Sequence, residues 1–326
     1  MLEANIISCG NIDELSKKIL EYGMKPILFK CINGKNVDPK IISEYIHPFF
    51  KYFMPKSAIG CAISHIMLWE KLLASSDEKM LILEDDVIFA QKPEEFKYFL
   101  GKSLENVPSD FDLLYLGCFF CSPKKNKFSK LYHPISYNKK YEVVNEFINK
   151  PKIIFATHAY IISRNGADKL LRYLKQKIAT HIDFSIQQIS NKGNIIAYVT
   201  NPILIYQTSN DNAISTNTSS KHPAIIMNAI PKTYLDDKLS LKYFLTLSMF
   251  SIGPLNISII SLFFVFLGIL FSFRKINLRN ITLFYVILNL PDIFMFKSSA
   301  EFAKIFTQNY LLLILPSVIS NYLNSR

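Results

Sequence analysis

The stretch MLILEDDVIF, residues 80–89, sets three consecutive carboxylates against an apolar run. Met80–Leu83 suits a buried strand, and Glu84, Asp85 and Asp86 stand at its carboxyl end before Val87 returns to apolar sequence. Three neighbouring anions there repel one another and lose hydration, so hydrogen bonds, basic side chains or a divalent cation must compensate them. Ligands bind at the carboxyl ends of strands in open α/β sheets, which makes a metal-dependent site the working expectation. The plainer alternative is an acidic turn whose carboxylates cap neighbouring backbone N–H groups.

Upstream, Ile6–Ser8 reads as a strand, and Ile12–Tyr22 as a helix with apolar residues at 12, 15, 19 and 20 ended by Gly23. Pro26–Lys30 returns as strand. This β-α-β opening predicts an α/β fold with a doubly wound sheet, and Asn33-Gly34 supplies the next turn. The segment to about Pro55 is aromatic and irregular. Ser57 is placed to cap a helix from about Ile59 to Leu73, IGCAISHIMLWEKLL, in which Cys61 and His65 sit four apart on one face. That spacing suits a metal chelate, but no further cysteine or histidine ligand is evident, and a packed cysteine with a backbone-bonded histidine is the commoner arrangement.

Downstream, Pro93–Leu100 reads as helix and Phe111–Gly117 as an apolar strand. Ile153–Ser163 is apolar around Thr157 and His158, consistent with two short strands or one bent one. Asn165–Lys177 is a helix with leucines at 170, 171 and 174 on one face, and Asp183–Ser190 a shorter one stopped by Asn191-Lys192-Gly193. Ile195–Val199 is a β-branched strand, and Asn201–His222 a polar loop or boundary.

The chain has 326 residues, enough for one large domain or two modest ones, and its 50% apolar content is concentrated late. Tyr243–Phe273 carries no charge over 31 positions, more than the roughly 20 residues that span a bilayer as helix. Gly253-Pro254 is placed to kink it. Asn280–Pro291 is too short to span alone, and Ile305–Ser325 is uncharged but interrupted by Pro316. The expected division is therefore a catalytic domain over 1–230 and a hydrophobic, membrane-associating helical tail over 231–326, with a helical cap on a soluble domain as the alternative. Basic residues flank the first run on both sides, Lys238 and Lys242 before it and Arg274, Lys275 and Arg279 after it, which suits interfacial or re-entrant helices.

Net charge is +11, and Cys121–Lys152 holds eight lysines (124, 125, 127, 130, 139, 140, 150, 152) against Glu142 and Glu146. Such a run attracts an anionic membrane surface or a phosphorylated glycan, or is simply a solvated loop. No nucleic-acid motif accompanies it, which argues against that partner. Five cysteines (9, 31, 61, 118, 121) with a lone C-x-x-C suggest reduced cytosolic thiols. The opening MLEANIISCG lacks a basic n-region and a long apolar h-region, so no secretory signal peptide is expected.

A carboxylate cluster suits Mg²⁺ or Mn²⁺ better than zinc, and such ions are commonly shared with substrate phosphates. In a nucleotide-sugar donor the leaving group is a diphosphate, whose developing charge the ion stabilises. An inverting transfer also needs a carboxylate to take the acceptor hydroxyl's proton, and Asp183, opening a helix after His181-Ile182, is the candidate. Capping that helix is its simpler role. A metal-dependent phosphohydrolase using the same carboxylates, or a non-catalytic membrane protein with a structural acidic turn, are the competing functions.

The ordered set IGCAISHIMLWEKLL (59–73), MLILEDDVIF (80–89), FDLLYLG (111–117), THAYIISRNGADKLL (157–171) and HIDFSIQ (181–187) resembles glycosyltransferase family 25, which includes bacterial lipooligosaccharide and collagen galactosyltransferases. IIS (6–8) and FKCINGK (29–35) resemble that family's first strand and turn. The resemblance covers roughly residues 4–210. It implies a GT-A-type, Rossmann-like nucleotide-sugar-binding domain with a UDP-sugar donor, usually UDP-galactose. It implies Asp86 as metal ligand, Glu84 as a further ligand nearer the donor's ribose or sugar, and Asp85 in the same motif. Gly60, Cys61, Ser64 and His65 fall on the family's Gly-Cys-x-x-Ser-His element, with Gly60, Ser64 and His65 expected at the donor, and Asp183 matches its later Asp motif. The resemblance identifies no third metal ligand; His222, in the polar loop after the last core strand, is placed either to approach the ion or to stand as a free surface histidine. Two departures stand out: Ser57-Ala58 replaces the usual Gly-Glu, and Gly10-Asn11-Ile12-Asp13 replaces arginines after the first strand. The implied activity is metal-assisted, inverting hexosyl transfer to a glycolipid or oligosaccharide acceptor at the cytoplasmic face of the inner membrane, the chain being peripheral or anchored by its C-terminal region.

Overall fold

The computed structural model describes residues 1–121, 141–208, 223–230, 234–236, 239–253, 255–296 and 300–324. The chain divides into two compact units, Met1–Ala213 with Tyr234–Leu239, and Ile214–Thr233 with Ser240–Arg326.

The first unit opens with β1 (Leu2–Ser8), α1 (Asp13–Glu21), β2 (Met24–Lys30), α2 (Pro39–Tyr45) and α3 (Lys56–Ala74). β3 (Lys79–Glu84) and β4 (Val87–Phe89) flank the acidic turn, followed by α4 (Pro93–Asn106) and β5 (Leu113–Phe119). Then come β6 (Tyr141–Val143), β7 (Ile148–Pro151), β8 (Phe155–Ser163), α5 (Arg164–Leu174), α6 (Ile182–Asn191), β9 (Ala197–Thr200) and β10 (Ile205–Gln207). Among the described residues, eight strands form one sheet in the order β2-β1-β3-β8-β5-β9-β7-β6, while β10 pairs with β4. β1 runs parallel to β2 and β3, and β5 parallel to β9, but β8 is antiparallel to both its neighbours, as β7 is to β9 and β6. The sheet is therefore mixed α/β, not the wholly parallel one a doubly wound reading suggests. Helical crossovers supply the parallel pairs, and β8 enters between β3 and β5 in the opposite sense.

Both faces of the sheet are covered, which explains why MLIL is continuously apolar instead of alternating. Leu81 and Leu83 join Ile6, Leu114 and Ile161 beneath Ile19 of α1 and Phe96 of α4. Met80 and Ile82 join Tyr115, Tyr160 and Ile162 beneath Ile59, Ile63 and Trp69 of α3 and Leu170 of α5. Each such side chain, fully buried, contributes about 1.5–3 kcal/mol of transfer free energy. α3 begins earlier than its sequence pattern suggests. Pro55 stands at its N-cap without a side-chain capping bond, and Ser57 lies inside the first turn instead of capping it.

Two cysteine pairs are disulfide-bonded, Cys9–Cys31 with Cα atoms 4.9 Å apart and Cys118–Cys121 at 5.8 Å, correcting the expectation of reduced thiols. The parallel register that pairs Ser8 with Lys30 brings the next residue of each strand side by side. Among the described cysteines, Cys61 alone is a free thiol.

In the second unit the uncharged run Tyr243–Phe273 does not form one long helix. It breaks into a helix at Leu241–Thr246, a hairpin of Phe250–Ile252 with Leu255–Ile257, and a helix at Ile259–Phe273. Gly253 takes φ +57° in the hairpin and the Ser258 hydroxyl caps the helix, accepting from Ser261 N–H, so local turn chemistry overrides hydropathy. Fifteen residues reach ~22 Å, short of a ~30 Å hydrocarbon core. The expected interruption at Pro316 is also absent: Ala300–Asn324 is a continuous 25-residue helix with Pro316 inside it. Within it, Phe302–Leu323 is, among the described residues, the one helical segment long and apolar enough to cross a membrane.

α3 approaches the turn after β2 closely enough to exclude side chains. A Cβ on Gly34 would lie 1.7 Å from the Lys56 carbonyl oxygen, and one on Gly60 would lie 2.3 Å from that of Ile32. Gly34→Ala should therefore force the backbones apart and cost about 1–3 kcal/mol in chemical denaturation. Ser57→Ala, which removes no cap, should stay within about 0.5 kcal/mol of the parent; an equal loss in both would contradict this packing.

Candidate active site

The acidic turn distributes its three carboxylates to different elements. Glu84 Oε1 accepts from Thr157 Oγ1 of β8 at 2.8 Å and lies 3.4 Å from His65 Nε2 of α3. Asp85 Oδ2 accepts from Ser8 Oγ at the end of β1 at 2.5 Å. Asp86 Oδ2 accepts from Gln207 Nε2 of β10 at 2.8 Å, and its backbone carbonyl accepts from Thr208 N–H at 2.8 Å. His65 is fully buried, and its Nδ1 meets the Tyr160 hydroxyl at 2.8 Å, which also accepts from Trp69 Nε1–H at 2.9 Å. Trp69, Tyr160, His65 and Glu84 thus form one relay of hydrogen-bonded side chains leading from α3 and β8 to the acidic turn.

The two inner carboxylates are driven apart. Burial raises Glu84, but the hydrogen bond and charge of His65 and the Thr157 hydroxyl outweigh it and hold the carboxyl below its ordinary range. Asp86 is pushed up to about 8, chiefly by burial and then by the Glu84 charge. Its Oδ1 is buried with no hydrogen-bond partner among the described residues. A buried, unpartnered carboxylate oxygen beside a second carboxylate is a donor set suited to a hard divalent cation, so Asp86 and Glu84 fit the ion that the family resemblance implies.

Asp183 sits in the first turn of α6, where Oδ1 accepts from Phe184 N–H at 2.8 Å and Oδ2 from Ala156 N–H of β8 at 2.9 Å. It thus tethers α6 to β8 as well as serving its own helix. β8 is irregular here: Gly117 pairs with Ala159 while Phe119 pairs with Phe155, so Ala156, Thr157 and His158 include surplus residues opposite β5, and Ala156 adopts φ +72°. Such a bulge re-aims side chains. It brings Ala156 N–H to Asp183 and Thr157 to Glu84.

Gly60 and Ser64, expected at the donor, lie where α3 meets the turn after β2. Gly60 packs against the Asn33–Asn36 turn, and the buried Ser64 hydroxyl accepts from Ile32 N–H at 2.9 Å and donates to the Gly60 carbonyl at 2.8 Å. Both hold α3 in position, while His65 reaches the acidic turn. His222 and lysines 124, 125, 127, 130, 139 and 140 lie outside the described residues. Thr157 and His158 stand out in sequence as polar interruptions of an apolar strand. Ser8, Tyr160 and Gln207 carry no such signal, because their partners come from 77 or more residues away.

Tyr160→Phe removes a hydroxyl that serves two buried groups and should cost about 1–3 kcal/mol in chemical denaturation; a neutral result would remove the relay from the account. His158 is buried, its Nε2 lies 3.3 Å from the Ile205 carbonyl oxygen, and burial lowers its pKa. Below the ordinary histidine value near 6.5 the unfolded chain binds a proton that the folded chain resists, so stability falls as pH drops from there toward the folded pKa. His158→Asn should flatten that slope by up to about 1.4 kcal/mol per pH unit. An unchanged slope would contradict the assignment.

Comparison with known proteins bears on the same region. The model of glycosyltransferase family 25 (LPS biosynthesis protein) matches residues 12–186. Zebrafish procollagen galactosyltransferase 1 is 26% identical over 197 residues, covering 55% of this chain and 30% of that protein. The lipooligosaccharide biosynthesis protein lex-1 of Haemophilus influenzae is 29% identical over 163 residues, 47% of this chain and 50% of that one. The human inactive glycosyltransferase 25 family member 3 is 30% identical over 94 residues, 28% of this chain and 15% of that protein. The matches span about a third of the length of the insect relatives as well. The family match takes in the acidic turn, the Gly60–His65 face of α3 and Asp183, and on it this chain belongs to glycosyltransferase family 25.

Proposed function

We propose that this chain is a metal-assisted, inverting glycosyltransferase of GT-A type that moves a hexose, galactose from UDP-galactose, onto a lipooligosaccharide or related surface glycan. The observation that carries the reading is the buried, unpartnered Asp86 Oδ1 beside Glu84 at the carboxyl end of β3. The names of the zebrafish and Haemophilus relatives support galactose as the sugar and a lipooligosaccharide as the acceptor.

Asp86 and Glu84 would hold Mn²⁺ or Mg²⁺, which when bound supplies positive charge against the diphosphate leaving group. Thr157 and His65 fix the orientation of Glu84, and Gln207 that of Asp86, so neither has to reorganise as charge develops. Asp183 takes the proton of the acceptor hydroxyl. Each of its oxygens accepts a backbone N–H, so the carboxylate is oriented, and each oxygen's second lone pair is the one that would meet the acceptor hydroxyl. The segment Phe302–Leu323 supports attachment to a membrane, peripheral or anchored, where a glycolipid acceptor lies.

UDP release from UDP-galactose with Mn²⁺ and a lipooligosaccharide acceptor tests the reading. Asp86→Asn and Asp183→Asn should each lower turnover about 10²–10⁴-fold, with Mn²⁺-dependent UDP binding lost only in Asp86→Asn. Full turnover in Asp183→Asn, or sugar release that no acceptor diverts, would reject the transfer mechanism.

A further inference from the structure

The helix face that carries Cys61 and His65 lacks a third ligand in sequence, and the fold supplies one. β3 runs beside α3 so that Glu84 meets both residues, and the ligand atoms of Cys61, His65 and Glu84 all lie within 4.8 Å of one another. Around a tetrahedral zinc-class ion, with bonds of ~2.0–2.3 Å, ligand atoms stand ~3.3–3.8 Å apart. His65 Nε2 and Glu84 Oε1 are already 3.4 Å apart. Closing the remainder takes about an ångström or less of side-chain movement, within reach of a rotamer adjustment at Cys61.

The outer partners of a metal site are also built. Metal-ligating histidines have their second ring nitrogen fixed by a hydrogen bond, and ligating carboxylates are themselves hydrogen-bonded. Here Tyr160, held by Trp69, fixes His65 Nδ1 and leaves Nε2 facing Glu84, while Thr157 holds the carboxylate. A half-buried thiol is the donor that separates this cluster from the carboxylate pair of Asp86 and Glu84. We infer that Cys61, His65 and Glu84 form a binding site for a thiophilic divalent cation of the zinc class, distinct from the Asp86 position and sharing only Glu84 with it. Three protein ligands leave a fourth position open. On binding, the Cys61 S–H proton passes to solvent, the His65 ring proton resides on Nδ1 against the Tyr160 hydroxyl so that the Nε2 lone pair is free, and sulfur–metal and nitrogen–metal bonds form; no oxidation state changes. Glu84 ties the inference to the proposed transferase site, but its test needs neither donor nor acceptor.

Cobalt(II) is the probe, titrated into the full-length protein without reductant, so that the disulfide-bonded cysteines do not ligate. Wild type should develop an intense sulfur-to-cobalt charge-transfer band in the near ultraviolet, saturating at one ion per chain and displaced by Zn²⁺. Cys61→Ser should lack the band while keeping the far-ultraviolet circular dichroism of the parent. Asp86→Asn should keep it. No band in wild type at cobalt excess, a band surviving in Cys61→Ser, or its loss in Asp86→Asn would each overturn the inference. Loss of transferase activity in Asp86→Asn with the band intact leaves it standing, and a band in a chain that transfers no sugar separates it from the proposed function.

Discussion

The unit that carries the site depends on how three adjacent carboxylates are compensated at the end of one buried strand. Glu84 goes to β8 and α3, Asp85 to β1 and Asp86 to β10. Each bond discharges part of the cost of placing a carboxylate near the core, and together they join four elements that lie far apart in sequence. The same turn that would repel itself in an isolated peptide becomes the point where the sheet, α3 and the strand pair β4–β10 are registered against one another. The candidate site and a structural staple are here one set of atoms.

That arrangement also differentiates the carboxylates. Glu84 receives a hydroxyl and an imidazole and is held ionised, whereas burial and the Glu84 charge raise Asp86 and one of its oxygens is unpartnered. Environments that push two neighbouring acids in opposite directions are a recurring means of giving them separate tasks. The asymmetry follows from topology. Glu84 is the last residue of β3, beside β8 and under α3, while Asp86 is in the turn, where β4 and β10 are its neighbours.

Much of the fold is legible in sequence because it rests on local periodicity. The β1-α1-β2 opening, the apolar β3 and β5 and the leucine face of α5 all follow from spacing within one element. What is not legible depends on juxtaposition. The antiparallel entry of β8 depends on the path of the chain between strands. The Cys9–Cys31 pair depends on the parallel register of β1 and β2. Hydropathy also misjudged the second unit, since Gly253 and Ser258 break a 31-residue uncharged run that composition alone reads as a span, and Pro316 fails to break one. In the candidate site, the acidic motif and Asp183 are visible as residue types, but the partners that orient them, Ser8, Tyr160 and Gln207, are ordinary strand and loop residues until the sheet assembles.

The bulge in β8 shows why the site needs irregular backbone. In a regular strand successive side chains point to opposite faces, and successive backbone N–H groups alternate between the two neighbouring strands instead of reaching a helix. Ala156 in the left-handed region, at a cost of about 1–2 kcal/mol for a residue with a Cβ, suspends that alternation. Its N–H reaches Asp183 while the next residue, Thr157, reaches Glu84, so consecutive positions orient both the candidate base and the candidate ligand carboxylate. A glycine at 156 would relieve the strain but loosen the segment that sets their relative orientation. An alanine has fewer backbone states open to it than a glycine, and a fixed relation between those two carboxylates suits the proposed transfer reaction.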